Sequence, residues 1–222
     1  MINFIVTSNS TTPYVLIQNE IFILTEGITQ TNETNNPAVD FSGTGNNSLY
    51  VNGTMVQIGE NTAILGTDQS ADDVTITISQ TGTIFGNSEF FAISTAGDDN
   101  VISNAGYITG GSGIRTSGDN AVVYNFGTVT SNFTSLSIVF AIDMSGEDGY
   151  FNNSGLVASR YGVEMDNATN FINSGIITTQ EIATRFNGST VEVVNFVNSG
   201  EITSTNALAV EGGEGGGLFI NT

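Results

Sequence analysis

A short motif recurs along this chain and limits its fold more than any other feature: an apolar pair, then Asn-x-Gly, then a second apolar run. Its clearest copy spans residues 170–179. Asn and Gly both tolerate a left-handed backbone, so each copy predicts a tight corner between two short strands. The corner glycines are Gly82, Gly106, Gly127, Gly155, Gly175 and Gly200, with gaps of 24, 21, 28, 20 and 25 residues. A repeat of about 20–30 residues with a strand, a corner and a strand is typical of a solenoid.

A second element precedes most of these corners: a short strand of small apolar residues, followed by a polar loop rich in Gly and Asp. Residues 38–41 and 140–143 are two copies. The strands are rich in Val, Ile and Thr, and the helix-favouring mixture of Ala, Leu, Glu and Lys is absent. The sequence therefore predicts an all-β fold, a single parallel β-helix (β-solenoid) of about eight three-strand coils stacked about 4.8 Å apart. We expect the right-handed form, which is usual for crossovers between parallel strands.

The position of the repeats predicts two regions. Residues 1–36 are expected to form a divergent N-terminal coil, a cap or an assembly strand, because terminal repeats usually differ from the others. Residues 37–222 are expected to form the solenoid, whose last residues, 218–222, match only the start of a repeat. An unpaired sheet edge can pair with another chain, so both ends are candidate self-assembly surfaces. The residues expected there are Ile2, Phe4, Ile5, Leu218, Phe219 and Ile220.

The charge of the chain excludes several partners. Its formal net charge is −19, from 3 Arg and no Lys against 22 acidic residues. Nucleic-acid binding needs clustered cations, and Arg115, Arg160 and Arg185 stand far apart in sequence. An anionic membrane surface is disfavoured for the same reason, and no window is long and apolar enough for a transmembrane helix. The first residues lack the basic region of a signal peptide, so we expect no N-terminal export signal.

Two columns of polar residues are expected to run along the solenoid. The first is a ladder of stacked side-chain amides, which hydrogen-bond along the column. Its members are Asn104, Asn125, Asn153, Asn173 and Asn198. The second column lies six residues earlier and is mostly acidic, which suggests structural Ca²⁺ bound by carboxylate and backbone oxygens; the alternative is a solvated acidic edge screened by salt. The candidate metal ligands are Asp98, Asp99, Asp119, Glu147, Asp148 and Glu192.

The sequence argues against an enzyme. It contains no His and no Lys, no Arg lies within a local acidic motif, and no phosphate-binding loop or nucleophile elbow is present. Paired carboxylates alone can hydrolyse a glycoside, so a polysaccharide-acting β-helix enzyme is the third alternative.

The motif Asn-Ser-Gly-x-Ile, followed by Gly-Ile or Gly-Val, resembles the repeats of bacterial autotransporter passenger domains and large secreted β-helix adhesins. The acidic, Cys-free composition without an export signal is closer to proteins exported by type I secretion. The resemblance implies an extracellular or cell-surface location. We therefore expect a structural protein that self-assembles head to tail into a filament or surface layer, without membrane insertion. The alternative is a monomeric adhesin that binds a host surface or glycan.

Overall fold

The computed structural model describes residues 3–43, 45–66, 71–132, 138–167, 169–187, 194–212 and 217–222. Every regular element in these ranges is a β-strand. The described residues contain no helix that is long and apolar enough to cross a membrane. The strands form three parallel sheets of ten, eight and nine strands, which we call the ten-strand, eight-strand and nine-strand sheets. The prediction of an all-β parallel solenoid is confirmed.

Each sheet runs along the rod, with its strands in chain order. The ten-strand sheet contains β1 (Asn3–Val6), β3 (Ile21–Leu24), β6 (Ser48–Val51), β9 (Thr75–Ile78), β12 (Val101–Asn104), β15 (Val122–Asn125), β18 (Tyr150–Asn153), β21 (Asn170–Asn173), β24 (Val194–Asn198) and β27 (Gly217–Asn221). The eight-strand sheet contains β4 (Thr29–Asn32), β7 (Thr54–Gln57), β10 (Thr83–Phe85), β13 (Tyr107–Gly110), β16 (Thr128–Ser131), β19 (Leu156–Ser159), β22 (Ile176–Thr179) and β25 (Glu201–Ser204). The nine-strand sheet contains β2 (Tyr14–Leu16), β5 (Val39–Phe41), β8 (Ile64–Gly66), β11 (Phe91–Thr95), β14 (Ser112–Thr116), β17 (Phe140–Met144), β20 (Tyr161–Asp166), β23 (Thr184–Asn187) and β26 (Val210–Glu211).

One coil of the solenoid passes through the three sheets in a fixed order: the nine-strand sheet, the ten-strand sheet and then the eight-strand sheet. From β5 to β25 there are 21 strands, three per coil, which makes seven complete coils before β26 and β27. This is close to the eight coils expected from Pro37 onward. In the described part of residues 1–36, strands β2, β3 and β4 form one further coil of the same kind.

Alternating residues of each strand point into the rod and form its core. In β18 and β21, Phe151 and Phe171 are fully buried, and their ring centroids lie 5.3 Å apart. Phe196 continues the row, with its ring stacked on Phe171 at 4.9 Å. Each large apolar side chain buried in this way contributes roughly 1.5–3 kcal/mol relative to exposure. The period-2 pattern of the sequence thus fixes which face of each strand is buried and which is presented to solvent.

Candidate functional surfaces

The predicted asparagines form a continuous column of hydrogen bonds inside the corner that follows the ten-strand sheet. The Nδ2 group of Asn104 donates to Oδ1 of Asn125 at 2.8 Å, and Asn125 donates to Asn153 at 2.7 Å. The same bond, also at 2.7 Å, joins Asn153 to Asn173 and Asn173 to Asn198. Asn198 donates in turn to Asn221 at 2.7 Å, a further member that our sequence analysis did not include. The match of residues 218–221 to residues 170–173 was the signal that could have identified it.

The corner glycines have a different cause from the one expected. None of the six has a left-handed backbone, so that part of the sequence argument is wrong. They are required instead by close stacking of the coils: a Cβ at Gly155 would overlap the carbonyl oxygen of Gly127, and one at Gly175 would overlap that of Gly155. The same overlap with a neighbouring coil occurs at the other corner glycines, Gly82, Gly106, Gly127 and Gly200.

The left-handed residues other than glycine lie in the loops between the nine-strand and ten-strand sheets. Asp73, Asp99 and Asp148 have φ angles of 56°, 57° and 56°. Asn120 and Asn167 take the same conformation in their own coils. Asp and Asn are the residues other than Gly that adopt it most readily, because their short side chains bond locally to the backbone. The left-handed backbone therefore explains the presence of Asp at this position without a metal ion.

The acidic column is held together by hydrogen bonds between carboxylates and the backbone. Oδ1 of Asp72 accepts the N–H of Asp98 at 2.9 Å, and Oδ1 of Asp98 accepts the N–H of Asp119 at 2.8 Å. Oδ1 of Asp119 accepts the N–H of Glu147 at 2.9 Å. A carboxylate that accepts a backbone N–H from the next coil pins the two loops to each other. Each of these three carboxylates thus has one oxygen engaged within the protein.

The column does not gather its acids into one compact cluster. In the part of the chain that the structure describes, no three Asp or Glu side chains are grouped so that they could hold a metal ion. Of the six predicted ligands, Asp98, Asp99, Asp119, Glu147 and Asp148 lie in stacked loops, and Glu192 is outside the described residues. Calcium binding remains a prediction.

A row of opposite charges lies on the outer face of the nine-strand sheet, and sequence analysis missed it. Parallel pairing places Arg115, Asp143, Glu164, Arg185 and Glu211 in register on consecutive strands. Nε of Arg115 lies 3.5 Å from Oδ2 of Asp143. Nη1 of Arg185 lies 3.6 Å from Oε1 of Glu164, and its Nε donates to Oε2 of Glu211 at 2.6 Å. We call these five residues, with Asp166 beside them, the charged row.

Burial raises the pKa of three carboxyl groups in the charged row, those of Asp143, Glu164 and Asp166. Partial burial raises the pKa of Asp143, and Arg115 lowers it in part. Burial also raises the pKa of Glu164, and the nearby carboxylate of Asp143 raises it further. The pKa of Asp166 is raised by burial, against the lowering effects of the nearby Asn187 amide and of Arg185. The arginines also stack on aromatic rings: Arg115 lies 5.5 Å from the ring centroid of Phe91, and Arg185 lies 5.2 Å from that of Phe140.

The strands of the other two sheets are nearly free of charge. Among the residues in the strands of the ten-strand and eight-strand sheets, Glu201 is the only charged one, whereas the strands of the nine-strand sheet contain seven. The outer face of the eight-strand sheet is rich in Thr and has an aromatic pair, Phe85 and Tyr107, with ring centroids 6.0 Å apart. In the adjoining corner, Phe126 is 54% exposed. Most of the charged residues that the structure describes therefore lie on the nine-strand sheet and in the two corners that flank it.

Five of the six predicted assembly residues lie in the first and last strands of the ten-strand sheet, β1 and β27. Phe4 packs partly buried against the core, and Ile5 points outward. Leu218 and Ile220 are exposed residues of β27, which pairs with β24 in register. Ile2 and the side chain of Phe219 are outside the described part of the structure.

The fold and these surfaces define a parallel β-solenoid repeat protein with one acidic side and one neutral side. No protein-family model, curated protein or solved structure matches this chain. The surfaces of the rod are therefore the basis for inferring its function.

Proposed function

We propose that this protein is a structural rod that assembles head to tail outside a bacterial cell. The observation that carries the proposal is the unbroken register of the ten-strand sheet, in which every described strand pairs in parallel with its neighbours. In such a ladder the backbone N–H and C=O groups of each strand bond to those of the strand in the next coil. The outermost described strands, β1 and β27, each pair on one side only. Unpaired N–H and C=O groups on such strands favour the addition of another chain.

The register of the sheet specifies how two copies would meet. The row that contains Phe22 and Phe196 has Phe4 at one end and Phe219 at the other, so these two residues would be neighbours across the joint. The row of the Asn ladder begins with Val6 in β1 and ends with Asn221 in β27. Across the joint, Val6 of one copy would therefore face Asn221 of the other. An amide that faces a valine loses a hydrogen bond, at a cost of about 1–3 kcal/mol. The joint is therefore weaker than a contact between internal coils, which favours reversible assembly.

This contact joins two different surfaces and does not close, so it produces a filament. Negative-stain electron microscopy of the purified chain is expected to show unbranched filaments many rods long. A variant without residues 1–7 lacks one side of the joint and is expected to remain short. When mixed with the intact chain, it should also shorten the filaments, because it stops growth at one end.

The control for the deletion is the exposed substitution Phe126→Asp, which lies in the corner between β15 and β16, far from both ends of the rod, and should polymerise normally. Circular dichroism checks that both variants are folded. Normal filaments from the deletion variant would contradict the proposal. Filaments that persist in excess chelator would show that assembly does not depend on calcium.

The neutral side of the rod favours a second candidate function, adhesion to an uncharged glycan. Phe85 and Tyr107 are 41% and 36% exposed and lie side by side on neighbouring coils. Exposed aromatic rings beside Thr hydroxyls provide both apolar contact and hydrogen bonding. Binding of the chain to an immobilised neutral polysaccharide, lost in Tyr107→Ala and retained in Tyr50→Ala, would support this candidate. Equal loss in both variants, or no binding by the intact chain, would contradict it.

A further inference from the structure

The outer face of the ten-strand sheet carries no charge in its strands and has more apolar than polar side chains. Isoleucine, valine, leucine or tyrosine occupies most of its outward positions, and the residues of its strands include no charge. Ile5 and Leu218 are 58% and 54% exposed, and Tyr50 and Ile220 are both 38% exposed. Parallel sheets are normally covered on both faces. Exposed apolar side chains gathered on an uncharged face generally mark an interaction surface.

We propose that this face packs against the same face of a second copy, which makes a lateral dimer of two rods. A second copy offers a sheet of the same length, and sheets that pack face to face lie about 10 Å apart. Ten strands of about four residues present roughly 600 Å². Two such faces together give about 1,200 Å², the lower end of the range for specific protein complexes.

Charge favours this face over the nine-strand face. Two chains of net charge −19 repel each other unless their acidic sides are kept apart. The acidic loops precede the strands of this sheet, and the uncharged Asn-x-Gly corners follow them. A two-fold axis parallel to the rods places the acidic loops of each copy over the uncharged corners of the other. The nine-strand face, by contrast, would bring two charged rows together.

The test uses the full chain at several concentrations in physiological salt. Sedimentation velocity is expected to show a species of twice the monomer mass, and small-angle X-ray scattering should give it a larger cross-sectional radius. Tyr50→Glu and Ile172→Glu place a carboxylate in the interface and should weaken the dimer by at least about tenfold. Tyr107→Glu is the matched control, because Tyr107 is 36% exposed on the eight-strand face and should leave the dimer unchanged.

A label that leaves the face uncharged provides a second measurement. The chain has no Cys, so a nitroxide can be placed at a single introduced cysteine. A label at Thr77→Cys, on the ten-strand face, should show dipolar broadening, because packed sheets lie about 10 Å apart. A label at Thr128→Cys, on the eight-strand face, should show none.

The outcomes separate lateral pairing from head-to-tail assembly. Species of single-rod width at every concentration, including filaments one rod wide, would overturn lateral pairing and leave the filament proposal standing. Wide dimers without filaments would support lateral pairing alone. Loss of the dimer in Tyr107→Glu with retention in Tyr50→Glu would overturn the choice of face.

Discussion

Asn153 shows why the amide column tolerates few other side chains. It is fully buried, it accepts a hydrogen bond from Asn125, and it donates one to Asn173. The equivalent position in earlier coils holds Ile78 and Val51, which are aliphatic. The row is therefore stable where neighbouring positions are all amides or all aliphatic side chains. An aliphatic residue in the middle of the amides leaves the amide on each side without its hydrogen-bond partner.

We expect Asn153→Leu to lower the free energy of unfolding by about 3 kcal/mol, because it leaves one buried donor and one buried acceptor without partners. Asn104→Ile is expected to cost less, because Asn104 lies at the end of the column beside Ile78. Urea unfolding measures both. The control is Asn152→Leu on the outer face of the same strand, with a change within about 0.5 kcal/mol. Equal effects at positions 152 and 153 would contradict the structural importance of the column.

The charged row belongs to an element, the nine-strand sheet, and not to any single loop. Burial raises the pKa values of Asp143, Glu164 and Asp166, and the arginines offset only part of this. An acid whose pKa is raised in the folded state binds its proton more tightly there than in the unfolded chain. Its contribution to stability is therefore fully present below the unfolded pKa near 4, and it is lost as the pH rises through the higher folded value.

We expect the free energy of unfolding to fall as the pH rises from about 4 towards 7. The triple variant Asp143→Asn, Glu164→Gln and Asp166→Asn should flatten this dependence, as measured by urea unfolding at each pH. The control removes the same number of charges from the acidic loops, as Asp73→Asn, Asp99→Asn and Asp148→Asn. If both triple variants change the dependence equally, net charge rather than the charged row is responsible.

The strands and coils could be predicted from the sequence, but the charged row could not. The Asn-x-Gly motif and the period-2 alternation are local signals, and each coil repeats them. Arg115 and Asp143, by contrast, meet because the fold brings consecutive coils into register, and variable loop lengths hide that register in the sequence. The corner glycines were placed correctly for the wrong reason. Their requirement is contact with the next coil, which a local view of turn conformation does not include.

At the scale of the whole molecule, the charged residues are unevenly distributed around the solenoid. The three arginines and most of the acids lie on the nine-strand sheet and the two corners that flank it. The acidic column places like charges in successive loops, and such neighbours repel by about 1 kcal/mol in water and more where solvent is excluded. The bonds from carboxylate to backbone offset this repulsion locally. Cations would offset the remainder.

We expect calcium to raise the midpoint of thermal unfolding more than sodium chloride does at the same ionic strength. Salt only screens the column, whereas Ca²⁺ also binds the carboxylate oxygens that no N–H occupies. Asp98→Asn with Asp119→Asn keeps an oxygen for each backbone bond and removes two charges, so it should abolish the calcium-specific part of the shift. Glu33→Gln with Glu60→Gln removes two charges from exposed positions at another corner and should retain it. If calcium and sodium act alike on the intact chain, the column is a screened acidic edge. Its carboxylates then serve only to pin one coil to the next.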